Sequence, residues 1–328
     1  MPWRNSTNAY HIWLSEIILQ QTRVAQGYDY YLRFVEAYPT ISDLANAPEM
    51  EVMKLWQGLG YYSRARNLHA TAKQIVEKFD GIFPERYEDV LSLKGVGEYT
   101  AAAICSFAYN QPFAVVDGNV YRVLSRLFGV ETPIDSTQGK KQFVDLAQQL
   151  LYKEYASLHN QAIMEFGALQ CTPQPDCSAC VLQDNCFAFA NGKINSLPVK
   201  ERKTKVRTRY FNYFFVRSTR DTYLRKRTGK DVWRNLYEFP LIETTQNVEL
   251  TDLLKSDFLS KLKNAITFEG ASPALELKHV LSHQIIKAKF YIVQIQENID
   301  LPEYEKILLS DLPKYPVSRL IELFFEKK

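Results

Sequence analysis

The residues best suited to chemistry lie in two stretches of the 328-residue chain, Leu93-Lys94-Gly95-Val96-Gly97-Glu98-Tyr99-Thr100-Ala101 and Val115-Val116-Asp117-Gly118-Asn119. The first reads as a helix, a glycine-bracketed turn and a second helix. Gly95, Val96 and Gly97 would present backbone N–H groups to a phosphate, because glycine permits close approach and a helix N-terminus attracts anions. An ordinary helix–helix connection is the competing reading. Asp117 stands where an N-cap would satisfy the first N–H groups of the next helix. Such a cap holds a carboxylate rigidly and ionised, which also suits it to stabilise an oxocarbenium ion as a glycosidic bond breaks. Glu16 is the only acid in the apolar helical run Tyr10–Thr22, beside Ile12 and Trp13. Those surroundings are expected to raise its pKa and make it a general acid near neutrality; a glutamate on the helix's polar edge is the alternative. One protonatable and one ionised carboxylate form an acid-plus-stabiliser pair for glycosidic cleavage.

Four of the five cysteines, Cys171, Cys177, Cys180 and Cys186, follow the spacing C-x5-C-x2-C-x5-C. Four thiolates this close can enclose one tetrahedral ion or one cubane cluster. A single C-x2-C knuckle with wider flanking gaps favours [4Fe–4S] over zinc, with unligated thiols as the remaining alternative. Either metal would be mainly structural, since four cysteines leave no open position. Cys105, in Ala101-Ala102-Ala103-Ile104-Cys105, reads as a buried core thiol.

These residues need elements to position them. From about Tyr10 to Phe166 the apolar spacing is helical and nothing alternates like a sheet. The cysteine segment then forms a compact loop. A basic stretch, Lys200-Glu201-Arg202-Lys203-Thr204-Lys205-Val206-Arg207-Thr208-Arg209, separates this half from period-two, β-rich runs at Tyr210–Val216 and Ala288–Val293. Helical segments follow near Leu250–Asn264 and from Val317. The expected organisation is a helical domain with its cysteine loop over 1–195, a linker over 196–209 and an α+β domain over 210–328.

With 46% hydrophobic and 23% charged residues, the composition is that of a soluble globular protein. No apolar run approaches the roughly 18 residues of a membrane span, and no signal-peptide pattern opens the chain. A reducing, cytoplasmic compartment is expected, with nucleoid association if the source is bacterial, and there such cysteines bind metal rather than form disulfides. A formal net charge of +3 removes global repulsion from a phosphate polymer without proving such a partner.

Taken together, Trp13-Leu14-Ser15-Glu16, Leu19-Gln20-Gln21-Thr22, Gly58-Leu59-Gly60-Tyr61-Tyr62-Ser63-Arg64, Gly95-Val96-Gly97, Val116-Asp117-Gly118-Asn119-Val120 and the four cysteines resemble the MutY-type adenine DNA glycosylases of the helix-hairpin-helix, endonuclease III superfamily. The resemblance spans nearly the whole chain. It implies an all-α helix-hairpin-helix glycosylase domain with a four-cysteine [4Fe–4S] loop, followed by a C-terminal α+β Nudix-like domain. It implies base-excision removal of adenine mispaired with 8-oxoguanine or guanine in double-stranded DNA, by a monomer, with the adenine flipped out of the stack. Glu16 would protonate adenine N7 and help handle water. Asp117 would stabilise or capture the sugar cation, with Asn119 and Tyr99 holding the site. Trp3, Arg4 and Gln161 match positions lining the adenine pocket; Leu19, Gln21, Thr22, Leu59 and Tyr61 match those that wedge the duplex and contact the opposing lesion. His279 and Ser282, in His279-Val280-Leu281-Ser282-His283, align with a lesion-reading loop. Asp231–Pro240 resembles a Nudix strand-and-turn, yet no R-E-x-x-E-E helix is present, so phosphohydrolase activity is not expected.

Tyr99 separates subfamilies. Bifunctional relatives carry a Schiff-base lysine there, and that chemistry requires a primary amine. An endonuclease III-like glycosylase with lyase activity is therefore the disfavoured enzymatic alternative. A damage-binding module without catalysis is disfavoured by the pair Glu16 and Asp117. Four departures from the family pattern stand out: the chain opens at Met1-Pro2-Trp3-Arg4 without the usual preceding helix, the first cysteine gap is five residues instead of six, Leu281 replaces a common phenylalanine, and Ala9 a common proline.

Overall fold

The computed structural model describes residues 3, 6–201, 206–262, 265–296 and 299–327. They form two compact units, Met1–Asn46 with Asn67–Lys203, and Ala47–Arg66 with Thr204–Lys328. Arg4, expected in the adenine pocket, and residues 202–205 of the basic stretch lie outside the described residues.

The N-terminal portion is helical: α1 (Ala9–Leu19), α2 (Val24–Ala37), α3 (Ile41–Asn46), α4 (Glu49–Leu55), α5 (Ser63–Phe79), α6 (Tyr87–Leu91), α7 (Glu98–Tyr109), α8 (Gly118–Phe128), α9 (Thr137–Leu150), α10 (Ala156–Leu169) and α11 (Phe187–Ala190). Helix α1 is apolar around most of its circumference, with Ile12, Trp13, Leu14, Ile17 and Ile18 all buried. A helix of that kind belongs in the middle of a core. It starts sharply because the Asn8 side chain accepts from the N–H groups of Tyr10 and His11. Helix α7 packs against it, with Gln20 bonded to Thr100 across the contact, while Ala102 and Ala103 of α7 are buried with Val115. Cys105 is fully buried there, and burial followed by the charge of Glu88 pushes its thiol pKa up to about 11. It is a core thiol. Helix α8 is amphipathic, burying Val120, Val123 and Leu124 and packing on α10.

The second unit is built on an eight-stranded sheet: β1 (Arg207–Arg217), β2 (Asp221–Lys226), β3 (Tyr237–Glu238), β4 (Leu241–Thr244), β5 (Ile266–Phe268), β6 (Leu275–Val280), β7 (Gln284–Ile295) and β8 (Glu305–Leu308). Its central path runs β3-β2-β1-β7-β5, and β1 pairs in parallel with β7 from Arg207↔Gln284 to Arg217↔Gln294. Helices cover both faces of that pair. Phe290 stacks on Phe324 of α14 (Arg319–Glu326), whereas Phe214 and Tyr291 join Leu250 and Leu253 of α12 (Leu250–Leu253) and Leu259 and Leu262 of α13 (Asp257–Leu262). The period-two reading of Tyr210–Val216 is corrected on this point. Phe211 to Val216 are buried without a break, because a parallel pair sandwiched between helices has no wet face.

Candidate active site

Three helices deliver the carboxylates and their partners to one place. Glu16 is the polar residue on the third turn of α1, flanked by the buried Ser15 and Ile17. Tyr99 sits on the first turn of α7, and its hydroxyl donates a 3.0 Å hydrogen bond to Glu16 Oε2. Burial, then the negative charges of Glu16 and Asp117, hold the Tyr99 phenol well above its ordinary pKa. It therefore remains a proton-bearing donor to Glu16 across the neutral range.

Asp117 is the N-cap of α8. Its Oδ1 accepts from the N–H groups of Asn119 (2.9 Å) and Val120 (2.8 Å), and its Oδ2 accepts from Asn119 Nδ2 (2.8 Å). The carboxylate is held at three points and cannot rotate freely. Asn119 is fixed in turn by Arg122, whose guanidinium donates to Asn119 Oδ1 (2.9 Å), Gly167 O (2.6 Å) and Cys171 O (2.7 Å). Gly167 brings α10 against α8 here, since a Cβ would come 2.8 Å from Asn119 Cβ. Arg122 escaped the sequence reading. Its i+3 spacing from Asn119 is the one local signal that could have raised it.

Glu16, Tyr99, Asp117 and Asn119 line a single cavity of about 540 Å³ in the first unit. Trp3, Leu19, Gln21, Thr22 and Gln161 line it as well, with apolar wall from Ile12, Phe107 and Met164. Trp3 is buried, with its ring edge-on to Tyr31 at 4.9 Å. Gln21 holds a left-handed backbone (φ 56°) at the turn that ends α1, which aims Gln21 and Thr22 differently from the helix. Gln20, on the same rim, donates to Thr100 Oγ1. Leu59 and Tyr61 belong to the second unit, as do His279 and Ser282. His279 lies on β6 with its ring 5.8 Å from Trp233, and burial followed by the charge of Arg319 lowers its pKa. Ser282 is exposed beyond the strand, its hydroxyl 3.3 Å from His283 Nδ1.

The glycine turn joins α6 to α7. Gly95 has φ 77°, and a Cβ there would fall 2.6–2.9 Å from the Asn67 side chain. Gly97 is the N-cap of α7 without a side chain to satisfy the helix's first N–H groups, and a Cβ there would meet nothing within 4 Å. Helix α5 clamps the turn through Thr71 Oγ1 to Lys94 O and Gln74 Oε1 from Lys94 N. Gly95→Ala is expected to lose about 1–3 kcal/mol of stability in urea unfolding, through strain and collision. Gly97→Ala is expected to change little.

In the cysteine segment, backbone bonds from Cys180 N to Cys177 O, Gln183 N to Cys180 O and Cys186 N to Gln183 O wind the chain tightly. Burial, then the neighbouring Cys180, Cys186 and Cys171, pushes the Cys177 thiol upward against the opposing pull of Arg126. Arg126 donates to Cys171 Sγ at 3.5 Å and to the carbonyls of Thr172, Pro173, Ile194 and Leu197. Among the described residues no three His, Cys, Asp or Glu side chains converge tightly enough for a single ion.

Residues 14–149 match the family model for HhH-GPD superfamily base excision DNA repair proteins, and residues 212–327 match the NUDIX domain. An adenine DNA glycosylase of Buchnera aphidicola subsp. Baizongia pistaciae is 34% identical over 287 residues, which is 86% of this chain and 78% of that protein. The adenine DNA glycosylase of Mus musculus is 44% identical over 211 residues, 60% of this chain and 41% of its own length. Among solved structures, a thermostable thymine-DNA glycosylase is similar with a TM-score of 0.55 and 29% identity, covering 58% of this chain and 88% of that one. The shared length and the paired domains carry the assignment: this chain belongs to the adenine DNA glycosylases, DNA N-glycosylases of base-excision repair with a helical HhH-GPD domain and a C-terminal Nudix-like domain.

Proposed function

We propose that the chain hydrolyses the N-glycosidic bond of adenine mispaired with 8-oxoguanine or guanine, and stops once the base is free. One observation carries this reading: Tyr99 bonded to Glu16 in the same cavity as the triply held Asp117. The cavity volume falls within the roughly 300–1,000 Å³ of small-ligand pockets, and its apolar wall suits a flipped purine.

Glu16 gives its proton to adenine N7. The C1′–N9 bonding pair then leaves with the base, and positive charge develops on the sugar. Asp117 faces that charge and either stabilises it or forms a transient ester with C1′. Water attacks C1′ and surrenders a proton to the Glu16 carboxylate, restoring the starting state. Tyr99 and Asn119 hold the two carboxylates, with Trp3, Arg4 and Gln161 around the base. Tyr99 has no amine, so no Schiff base forms and the strand is left intact.

The turn Gly95–Gly97 holds a DNA phosphate through its backbone N–H groups and the N-terminus of α7. Leu19, Gln21, Thr22, Leu59 and Tyr61 wedge the duplex, while His279 and Ser282 read the opposing lesion. Cys171, Cys177, Cys180 and Cys186 would hold a [4Fe–4S] cluster, which would cross-link the loop. The protein works as a monomer in the cytoplasm or at the nucleoid. No helix among the described residues is long and apolar enough to cross a membrane.

Purified protein is expected to be brown, with broad visible absorption and about four iron atoms per chain. Stoichiometric zinc with a colourless protein would refute the cluster. The function itself is tested by chromatography of bases released from duplexes holding adenine opposite 8-oxoguanine, guanine or thymine, and thymine opposite guanine. Adenine should appear from the first two alone, fastest opposite 8-oxoguanine. Release of thymine instead would contradict the assignment.

A further inference from the structure

Within the second unit, residues 47–66 are tied at several points to the Nudix-like fold. At the start of α4, Glu49 accepts from Lys226 Nζ (2.8 Å, Oε2) and from Asn235 Nδ2 (2.6 Å, Oε1). At its end, Gln57 accepts from Val317 N (3.0 Å) and donates to Glu322, while Lys54 donates to Tyr315 O (3.3 Å). Beyond the following turn, the Arg66 guanidinium donates to Arg234 O at 2.8 Å.

Between these anchors lies a knuckle with three left-handed residues, Gly58 (φ 91°), Gly60 (φ 78°) and Tyr61 (φ 47°). Its backbone is braced: Trp56 Nε1 and Arg64 both donate to Gly60 O, and Gly58 N donates to the Tyr62 hydroxyl. Tyr61 is 49% exposed. A tyrosine forced into a left-handed backbone and held outward is strained, and such strain concentrates where a side chain must be aimed.

The turn touched by Glu49 and Arg66 is strained too, with Trp233 at φ 58° and Asn235 at φ 68°. It is held by Arg227, whose Nε donates to Val232 O and whose carbonyl accepts from Asn235 N. Trp233 is buried, edge-on to Phe211, and its ring lies 5.8 Å from His279. His279 thus lies against Trp233, the chain of the turn carries Trp233 to Asn235, the Asn235 amide bonds Glu49, and the chain from α4 runs on to the Tyr61 knuckle.

We infer that Glu49 and Asn235 are positioning residues of a relay in which engagement of the base opposite adenine at His279 sets the pose of the Tyr61 knuckle. This inference rests on the reading that His279 faces the lesion and Tyr61 enters the duplex. The turn has two neighbours whose placement it fixes at once, so displacement of Trp233 by a base at His279 is felt at Asn235 and Glu49. Asn235 suits the role because asparagine tolerates the left-handed backbone while its amide reaches Glu49.

The test measures single-turnover adenine release from duplexes with 8-oxoguanine or guanine opposite. Asn235→Gly keeps the left-handed backbone and deletes the amide; Glu49→Gln keeps shape and removes charge. Each is expected to lower the 8-oxoguanine-to-guanine rate ratio by about 3–30-fold, with the guanine rate and the melting temperature unchanged. In a His279→Ala background, Glu49→Gln should lower the ratio no further, since both act through one path. A ratio equal to that of wild type, an equal slowing on both duplexes, or independent multiplication of the two losses would overturn the relay. Wild-type protein with no preference for 8-oxoguanine would instead overturn the lesion-reading assignment, and the relay with it.

Discussion

Glu16→Gln is expected to slow single-turnover adenine release by about 10²–10⁴-fold, the range for loss of a general acid, with duplex affinity changed only a few-fold. Glutamine has the shape of the glutamate, and its carbonyl can still accept from the Tyr99 hydroxyl that reaches Glu16 Oε2 at 3.0 Å. The cavity wall therefore survives. What disappears is the transferable proton, and adenine then has to leave as an anion or wait for protonation from solvent. Rapid-quench assays with alkali treatment measure the rate, and fluorescence anisotropy measures the affinity. Loss of binding in proportion to loss of rate would assign Glu16 a structural task.

Asp117→Asn is expected to cost about 10²–10³-fold in the same assay, comparable to removing one preorganised electrostatic partner of a transition state. Asparagine caps helices about as well as aspartate, so the bonds from Asn119 N and Val120 N can be kept and α8 should start where it does now. The changed contact is with Asn119 Nδ2, which now donates to Asp117 Oδ2. A melting temperature close to wild type with a large rate loss separates charge from capping. Asp117→Ala adds the loss of the cap, about 1 kcal/mol. The double variant with Glu16→Gln should fall short of the product of the two single effects, because both groups serve one bond cleavage.

Some of this arrangement is legible in the sequence and some is not. The start of α8 at Asp117 follows from local chemistry, since aspartate is among the favoured N-cap residues, and the apolar ring of residues on α1 marks a central helix. The meeting of Glu16 with Tyr99 does not follow. They are 83 residues apart, and it is the packing of α1 on α7, a tertiary contact with no local trace in the chain, that unites them. In the sequence, only the resemblance to the family implies that they share a site. The continuous burial of Phe211–Val216 was hidden for a related reason: alternation and burial on both faces differ by a few residue types, and pairing with β7 decides between them.

The grouping of residues 47–66 with the Nudix-like fold was beyond reach of the sequence. Its hydrogen bonds include those of Glu49 with Lys226 and Asn235, which lie 177 and 186 residues away. Charged side chains at such distances leave no periodic trace, whereas core helices do.

The most direct measurement of the central claim follows both products of one turnover on a duplex with adenine opposite 8-oxoguanine. Free adenine should accumulate in step with alkali-labile sites, the strand should stay whole until alkali is added, and borohydride should trap no protein–DNA adduct. Strand breaks before alkali, a trapped adduct, or a duplex that keeps its adenine would contradict hydrolysis by Glu16 and Asp117 at a site where Tyr99 stands in place of lysine.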